Sequence, residues 1–193
     1  MIIGITGGTG CGKTTVLNVL RDHGCVVLDC DDIYHRLLET NTALLTAIET
    51  RFPGTVTGGK LDRKKLGSIV FTDQEALLDL NKITHSAVKE EVLRQLDPEP
   101  KLAAIDAIAL FEGGLAELCK LTIAITAPES DRIARLMARD NITEDYAKAR
   151  IHAQRSQDTF ISLCDHTLCN DGTEAAFREK CLAFFREQGI INL

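Results

Sequence analysis

The sequence predicts an α/β fold, with helices on both faces of a mostly parallel sheet. Three observations carry that expectation. Short apolar runs alternate with helical patterns along much of the chain, as βα units require. A glycine-rich segment joins the first apolar run to the first helical pattern. Acidic residues stand at the end of the second apolar run, where open α/β sheets bind their ligands. At 193 residues the chain has room for one such domain with a sizeable core and an insertion.

The first strand is Ile2-Ile3-Gly4-Ile5-Thr6, and Gly7-Gly8-Thr9-Gly10-Cys11-Gly12-Lys13-Thr14-Thr15 follows it. Gly7, four residues and then Gly12-Lys13-Thr14 match the phosphate-binding loop GxxxxGK(S/T) in full. Glycines let the backbone take positive φ and turn its N–H groups inward, so residues Gly8 to Thr15 can cradle an anion. The helix beginning near Lys13 adds the positive end of its dipole at the same place. Lys13 is expected to reach the β- and γ-phosphates and the Thr14 hydroxyl to hold Mg²⁺. The predicted fold is therefore a P-loop NTPase. Cys11 lies inside the loop, which leaves two readings of its thiol. Either the anion-attracting nest stabilises a reactive thiolate, protected by Mg-ATP, or the sulfur is tucked against the sheet and inert.

Composition narrows the function classes. A net charge of −6 opposes a broad nucleic-acid or anionic-membrane surface, which needs excess Lys and Arg. No apolar run approaches a membrane span, and the first residues lack a basic region and a cleavage site. Seven cysteines at irregular spacings, none in CxxC, point to reduced cytoplasmic thiols. Cys164-Asp165-His166 with Cys169 could suggest a metal site, but buried small hydrophobes explain these cysteines more simply.

The remaining elements follow in order. His23-Gly24 closes the first helix. Cys25-Val26-Val27-Leu28 is a short continuous apolar run, as a buried parallel strand requires, and it ends on Asp29-Cys30-Asp31-Asp32. Capping of a helix from Ile33 by Asp31 or Asp32 would account for one of these acids, leaving others for chemistry. Residues 40–97 form a helical block: Leu44 to Phe52, Leu61 to Phe71 and Gln74 to Leu96 have helical apolar spacing, with turns at Pro53-Gly54 and Gly58-Gly59. The block reads as an insertion on the sheet. Leu102 to Phe111 is expected as a strand ending on Glu112, and Leu121 to Thr126 as another. Pro128 should lie in the first turn of the next helix, whose Arg132, Arg135 and Arg139 share one face. A further helix from Thr143 is expected to bear Arg150, Gln154 and Arg155. Five arginines within residues 132–155 of an acidic chain suggest that some face a polyanion, while most serve as solvated surface. His166 to Cys169 is a last weak strand, Asn170-Asp171-Gly172 a turn, and Thr173 to Gln188 the final helix.

Physics to this point describes a small-molecule phosphotransferase and does not choose the acceptor. The sequence resembles the dephospho-coenzyme A kinases over nearly its whole length. The likeness rests on Ile5 to Thr14, Val27 to Asp31, Leu61 to Leu66, Ile69 to Phe71, Ile83 to His85, Asp106 to Glu112 with Gly114-Leu115, Ala149 to Ile151 with Gln154, and Asn170 to Gly172. It implies transfer of the ATP γ-phosphate to the ribose 3′-hydroxyl of dephospho-coenzyme A by a cytoplasmic enzyme, with a monomer favoured. It also implies that the 40–97 block binds the acceptor and that residues 129–155 form a lid. On the same grounds Asp31 matches the general base, Arg135 a lid arginine, and Asn170-Asp171-Gly172 the adenine site. Arg63, His85 and Glu112 would face the acceptor with Asp31, and Arg139 and Arg150 the nucleotide. Three departures stand out: Ser86 where proline usually follows the histidine, Ile108 where the strand often has proline, and Cys11 where Ser or Ala is common. A different nucleoside kinase would differ only in acceptor. A GTP-dependent switch is disfavoured because Asn81-Lys82-Ile83-Thr84 lacks the aspartate of a guanine-reading Asn-Lys-x-Asp.

Overall fold

The computed structural model describes residues 1–98 and 100–191. Five strands form the main, mostly parallel sheet: β1 (Ile2–Thr6), β2 (Val26–Asp29), β5 (Ala103–Asp106), β6 (Leu121–Thr126) and β7 (His166–Cys169), in spatial order β2-β5-β1-β6-β7. A two-stranded hairpin, β3 (Val56–Thr57) with β4 (Lys60–Leu61), stands apart from it. β1 lies in the middle and pairs in parallel with β5 and with β6. The order reverses around β1, because the chain leaves it for β2 on one side and later supplies β6 and β7 on the other. The crevice beyond the carboxyl end of such a strand is where doubly wound sheets bind ligands, and the glycine-rich loop starts there.

The chain divides into two compact units. The first comprises Met1–Leu28, Pro100–Phe111 and Leu115–Leu193. Its core forms where the strands meet α1 (Lys13–Asp22) and α9 (Glu174–Glu187): Ile3, Ile5, Val16, Leu20, Ile123, Phe177 and Phe185 are fully or almost fully buried together. A smaller cluster of Leu136, Ala147 and Ile151 joins α6 (Glu129–Asp140) to α7 (Glu144–His152). The second unit comprises Asp29–Glu99 with Glu112–Gly114. It contains α2 (Cys30–Thr40), α3 (Thr42–Arg51), the hairpin, α4 (Arg63–Val70) and the long α5 (Gln74–Gln95), against which α2, α3 and α4 pack.

Several local expectations change. β2 is an edge strand, with Val26 42% exposed, so its unbroken apolar run marks only one covered face. The strand expected from Leu102 to Phe111 stops at Asp106, and turns occupy the residues after it. α2 begins at Cys30 and not at Ile33: its cap is Asp29, whose carboxylate accepts the N–H groups of Asp31 and Asp32 at 3.0 and 3.1 Å. Pro128 is the N-cap of α6, one position before the first turn. α7 starts at Glu144 with Thr143 as its cap, one residue later than expected, and ends at His152, leaving Gln154 and Arg155 beyond it. The sequence reading has no counterpart for the hairpin or for α8 (Gln157–Leu163), which Ser156 caps.

Candidate active site

In the first unit residues Gly7 to Gly12 connect β1 to α1, which opens with Lys13 and Thr14. Gly7, Gly10 and Gly12 all have positive φ, at 144°, 77° and 99°, which makes glycine the fitting residue at each. Side chains have no room there either: a Cβ on Gly7 would meet the Ile125 carbonyl oxygen, and one on Gly12 the Asn170 amide. The Lys13 ammonium is curled back on the loop and donates to the Gly7 carbonyl at 3.0 Å. Thr14 is exposed on the first turn of α1. Its hydroxyl makes no hydrogen bond among the described residues.

Three elements distant in sequence brace this loop. From α6, Arg132 Nε donates to the Thr9 carbonyl at 2.9 Å and Arg135 Nη1 to the Gly10 carbonyl at 3.3 Å. From the segment after α7, Gln154 Oε1 accepts the Thr9 N–H at 2.7 Å. From the end of β7, the buried Asn170 donates its amide N–H to the Cys11 carbonyl at 3.1 Å, and its Oδ1 accepts from Arg135 Nη2 at 3.2 Å. The carbonyls of Thr9, Gly10 and Cys11 are thus occupied from outside; Gln154 takes the Thr9 N–H and the Gly8 carbonyl the Cys11 N–H, which leaves the other loop N–H groups for an anion.

The arginine stripe divides in two. Arg132 and Arg135 face the loop. Arg139 and Arg150 converge instead on the Asp140 carboxylate, at 2.7 and 2.5 Å, and hold its pKa down to about 2. Arg132 and Gln154 are the site residues that reasoning from the sequence leaves out of the nucleotide set. The signal for Arg132 was its spacing of three from Arg135. Asp171 pairs with Lys180 at 2.8 Å, and Gly172 continues the exposed turn.

Cys11 corrects one of its two readings. The side chain is 1% exposed, and burial raises its pKa despite the opposing charges of Lys13 and Arg132. Desolvation exceeds the attraction of the nest for a thiolate, so the sulfur is the tucked, buried one of the two readings. Asp165 accepts from the Thr122 N–H and hydroxyl at 2.8 and 2.7 Å, and no three His, Cys, Asp or Glu side chains gather as a metal cluster among the described residues.

In the second unit Asp31 lies in the exposed first turn of α2. Its carboxylate makes no hydrogen bond or ion pair among the described residues. Tyr34 is one turn further on the same face. Burial raises the Tyr34 pKa, and the charge of Arg63, at the start of α4, opposes the rise, so Arg63 lies near that phenol. His85 is half-buried midway along α5, and Glu112 is exposed beside Gly113-Gly114.

The comparisons with known proteins agree with this geometry. The family model described as Dephospho-CoA kinase matches residues 1–176. A dephospho-CoA kinase of Bacillus anthracis is 34% identical over 100% of this chain and 99% of its own length. One of Carboxydothermus hydrogenoformans is 35% identical over 96% and 93%. Among solved structures, a Thermus thermophilus protein superposes with TM-score 0.82 at 33% identity, covering 97% of both chains. The dephospho-CoA kinase from Campylobacter jejuni does so with TM-score 0.68 at 30% identity, over 97% of this chain and 96% of that one. A shikimate kinase from Bacteroides thetaiotaomicron, 17% identical with TM-score 0.58 over 97% of each chain, shares the P-loop kinase fold. With a family match across most of its length and relatives above 30% identity over nearly all of it, the chain belongs to the dephospho-CoA kinase family.

Proposed function

We propose that this chain transfers the γ-phosphate of ATP to the ribose 3′-hydroxyl of dephospho-coenzyme A, giving coenzyme A and ADP. The observation that carries the reading is the complete phosphate loop, its carbonyls occupied from outside and its lysine in place, in a chain of this family. The loop N–H groups not already taken by Gln154 or by the carbonyls of Gly8 and Gly12 bind the phosphate chain. Lys13 exchanges its bond to the Gly7 carbonyl for a phosphate oxygen, and Arg135 adds positive charge from α6. The exposed Thr14 hydroxyl suits Mg²⁺, an ion that keeps waters and draws ligands from phosphates instead of an all-protein cage. Mg²⁺ bound there would neutralise charge on the β- and γ-phosphates.

Asp31 is the base we assign. Its carboxylate accepts the 3′-hydroxyl proton as the oxygen–phosphorus bond forms and the bond from the γ-phosphorus to the ADP oxygen breaks. Arg63, His85 and Glu112 bind the acceptor, with residues 40–97 as the acceptor-binding insertion and residues 129–155 as a lid. Asn170 is committed to the Cys11 carbonyl and Arg135, so the turn through Asp171 and Gly172 offers mainly its backbone to the adenine. We place the enzyme in the cytoplasm, on its free cysteines, and favour a monomer; its charge of −6 opposes nucleic-acid binding.

The test is mass spectrometry of dephospho-coenzyme A incubated with ATP, Mg²⁺ and the protein, for the gain of one phosphate. Asp31→Asn should lower kcat about 10²-fold, or about 2.7 kcal/mol, at nearly unchanged ATP affinity. Full activity in that variant would refute the assignment. Loss of Mg-ATP binding would move Asp31 to the metal's surroundings.

A further inference from the structure

Arg132 carries a charge that no ion pair matches among the described residues. It stands in the first turn of α6 and is 3% exposed. One nitrogen, Nε, donates to the Thr9 carbonyl. Another, Nη2, is shut off from water and has no hydrogen-bond partner among the described residues. The acidic groups that act on the guanidinium are the Cys11 thiol and the Glu129 carboxylate, and both act only through space. A full positive charge is therefore buried without an ion pair, an arrangement that costs stability unless a counter-charge arrives.

Gly8 supplies a second, independent observation. Its φ lies outside the left-handed region, so the backbone does not demand glycine there. Space does: a Cβ on Gly8 would meet Arg132 Nη2, with Cζ at 3.1 Å. The loop lacks a side chain where the guanidinium presses against it. The groups that face Arg132 on the loop are thus a carbonyl, a glycine and a protonated thiol, none of which neutralises it.

We propose that Arg132 is a positioning residue for the nucleotide's phosphate chain. It is a built-in counter-charge behind the loop, acting on bound phosphate through the loop backbone and its field, without touching the nucleotide. The missing anion is the one that the loop N–H groups collect on the other side. The inference rests on the reading of the loop as the ATP site. A neutral brace for the Thr9 carbonyl would be the merely structural role.

Calorimetry with ATP, ADP, AMP and adenosine separates the two roles. Arg132→Gln removes the charge and keeps a donor long enough for the Thr9 carbonyl. We expect it to weaken ADP at least about tenfold and ATP more, to leave adenosine unchanged, and to leave the nucleotide-free protein no less stable to urea. Arg132→Lys, which retains the charge, should recover most of the loss. Gly8→Ala keeps the charge but pushes it off the loop, and should also weaken ADP; it decides the matter if Arg132→Gln does not fold. ADP affinity within threefold of wild type in Arg132→Gln or Gly8→Ala would overturn the proposal. So would an equal loss for adenosine, or a lysine variant as weak as the glutamine one. A wild-type protein that does not bind ADP at all would instead overturn the ATP-site reading itself.

Discussion

Replacing Asn170 with alanine tests whether the loop is held from behind. Asn170 is 5% exposed and leads out of β7, its own N–H donating to the Thr126 carbonyl at 2.8 Å. Its side chain makes two further bonds, donating to the Cys11 carbonyl at 3.1 Å and accepting from Arg135 at 3.2 Å. Alanine keeps that backbone bond, and also the Asn170 carbonyl that accepts from Arg135 Nη2 at 3.4 Å, and removes both side-chain bonds. The Cys11 carbonyl is left without its amide donor in a buried place, which costs about 1–3 kcal/mol. Arg135 is partly exposed, so water can replace its lost acceptor, at a cost nearer 0.5–1 kcal/mol. The sum is about 1.5–4 kcal/mol, and for a chain of this size each 1 kcal/mol lowers Tm by about 2–4 °C. Differential scanning calorimetry should therefore show a fall of about 3–16 °C. Steady-state kinetics should show a raised KM for ATP, because the carbonyl of Cys11 loses its donor and the guanidinium of Arg135 the shorter of its two bonds to residue 170. A variant within about 0.5 kcal/mol of wild type by urea unfolding would refute the reasoning, since it would mean that the loop stands without this brace.

Other outcomes follow from the same geometry. Lys13→Ala should retain less than about a tenth of the phosphotransfer rate with Tm almost unchanged, because the lysine's only described bond is to a loop carbonyl; near-full turnover would count against its role. Iodoacetamide on the folded protein should leave Cys11 unlabelled and activity intact, with or without Mg-ATP, because the thiol is buried and its pKa raised; rapid labelling at Cys11 by peptide mapping would contradict this. Asp140 is held at about 2 by Arg139 and then Arg150, below its unfolded value of about 3.9, so its contribution is complete above about pH 4 and is lost as pH falls toward about 2. The stability gap between wild type and Asp140→Asn should narrow across that window, and a constant gap would argue that the pair does not contribute.

What was legible in the sequence was local. The loop spacing, the helix from Lys13 closing at His23-Gly24, the strand Leu121–Thr126 and the helix start near Thr143 all depend on residues close in the chain, and each lies within a residue of where it was expected. The misplaced ends were set by partners far away. β5 stops at Asp106 because its neighbour β1 ends at Thr6, and the register pairs Ile5 with Asp106. The apolar residues after it, Ala107 to Leu110, suggest a continuing strand but are used instead in a packed turn, where Leu110 closes over Gly4. The acids after β2 show the same limit on a smaller scale. Each of Asp29, Asp31 and Asp32 is a good cap, and composition alone does not rank them. The backbone does, since Asp29 is extended at φ −85° and ψ 109° and so occupies the cap position. That leaves Asp31 inside the helix, where its carboxylate has no capping duty.

The arginines show why charge counts do not locate a site. Arg132, Arg135, Arg139 and Arg150 are equivalent by composition, and three of them share a helix face by spacing. Their partners separate them. Asp140 is placed so that Arg139 and Arg150 both bond it, and an arginine whose charge is already matched adds little field at a distance. Arg135 has a weaker link to Asp131 at 4.0 Å and spends its best hydrogen bonds on the loop carbonyl of Gly10 and on Asn170. Arg132 has no ion pair among the described residues. In this structure Lys13, Arg132 and Arg135 bond the loop, while Arg139 and Arg150 are matched by Asp140. Removing Asp140 would be expected to free Arg139 and Arg150 into solvent instead of toward the loop, because both are more exposed than Arg135.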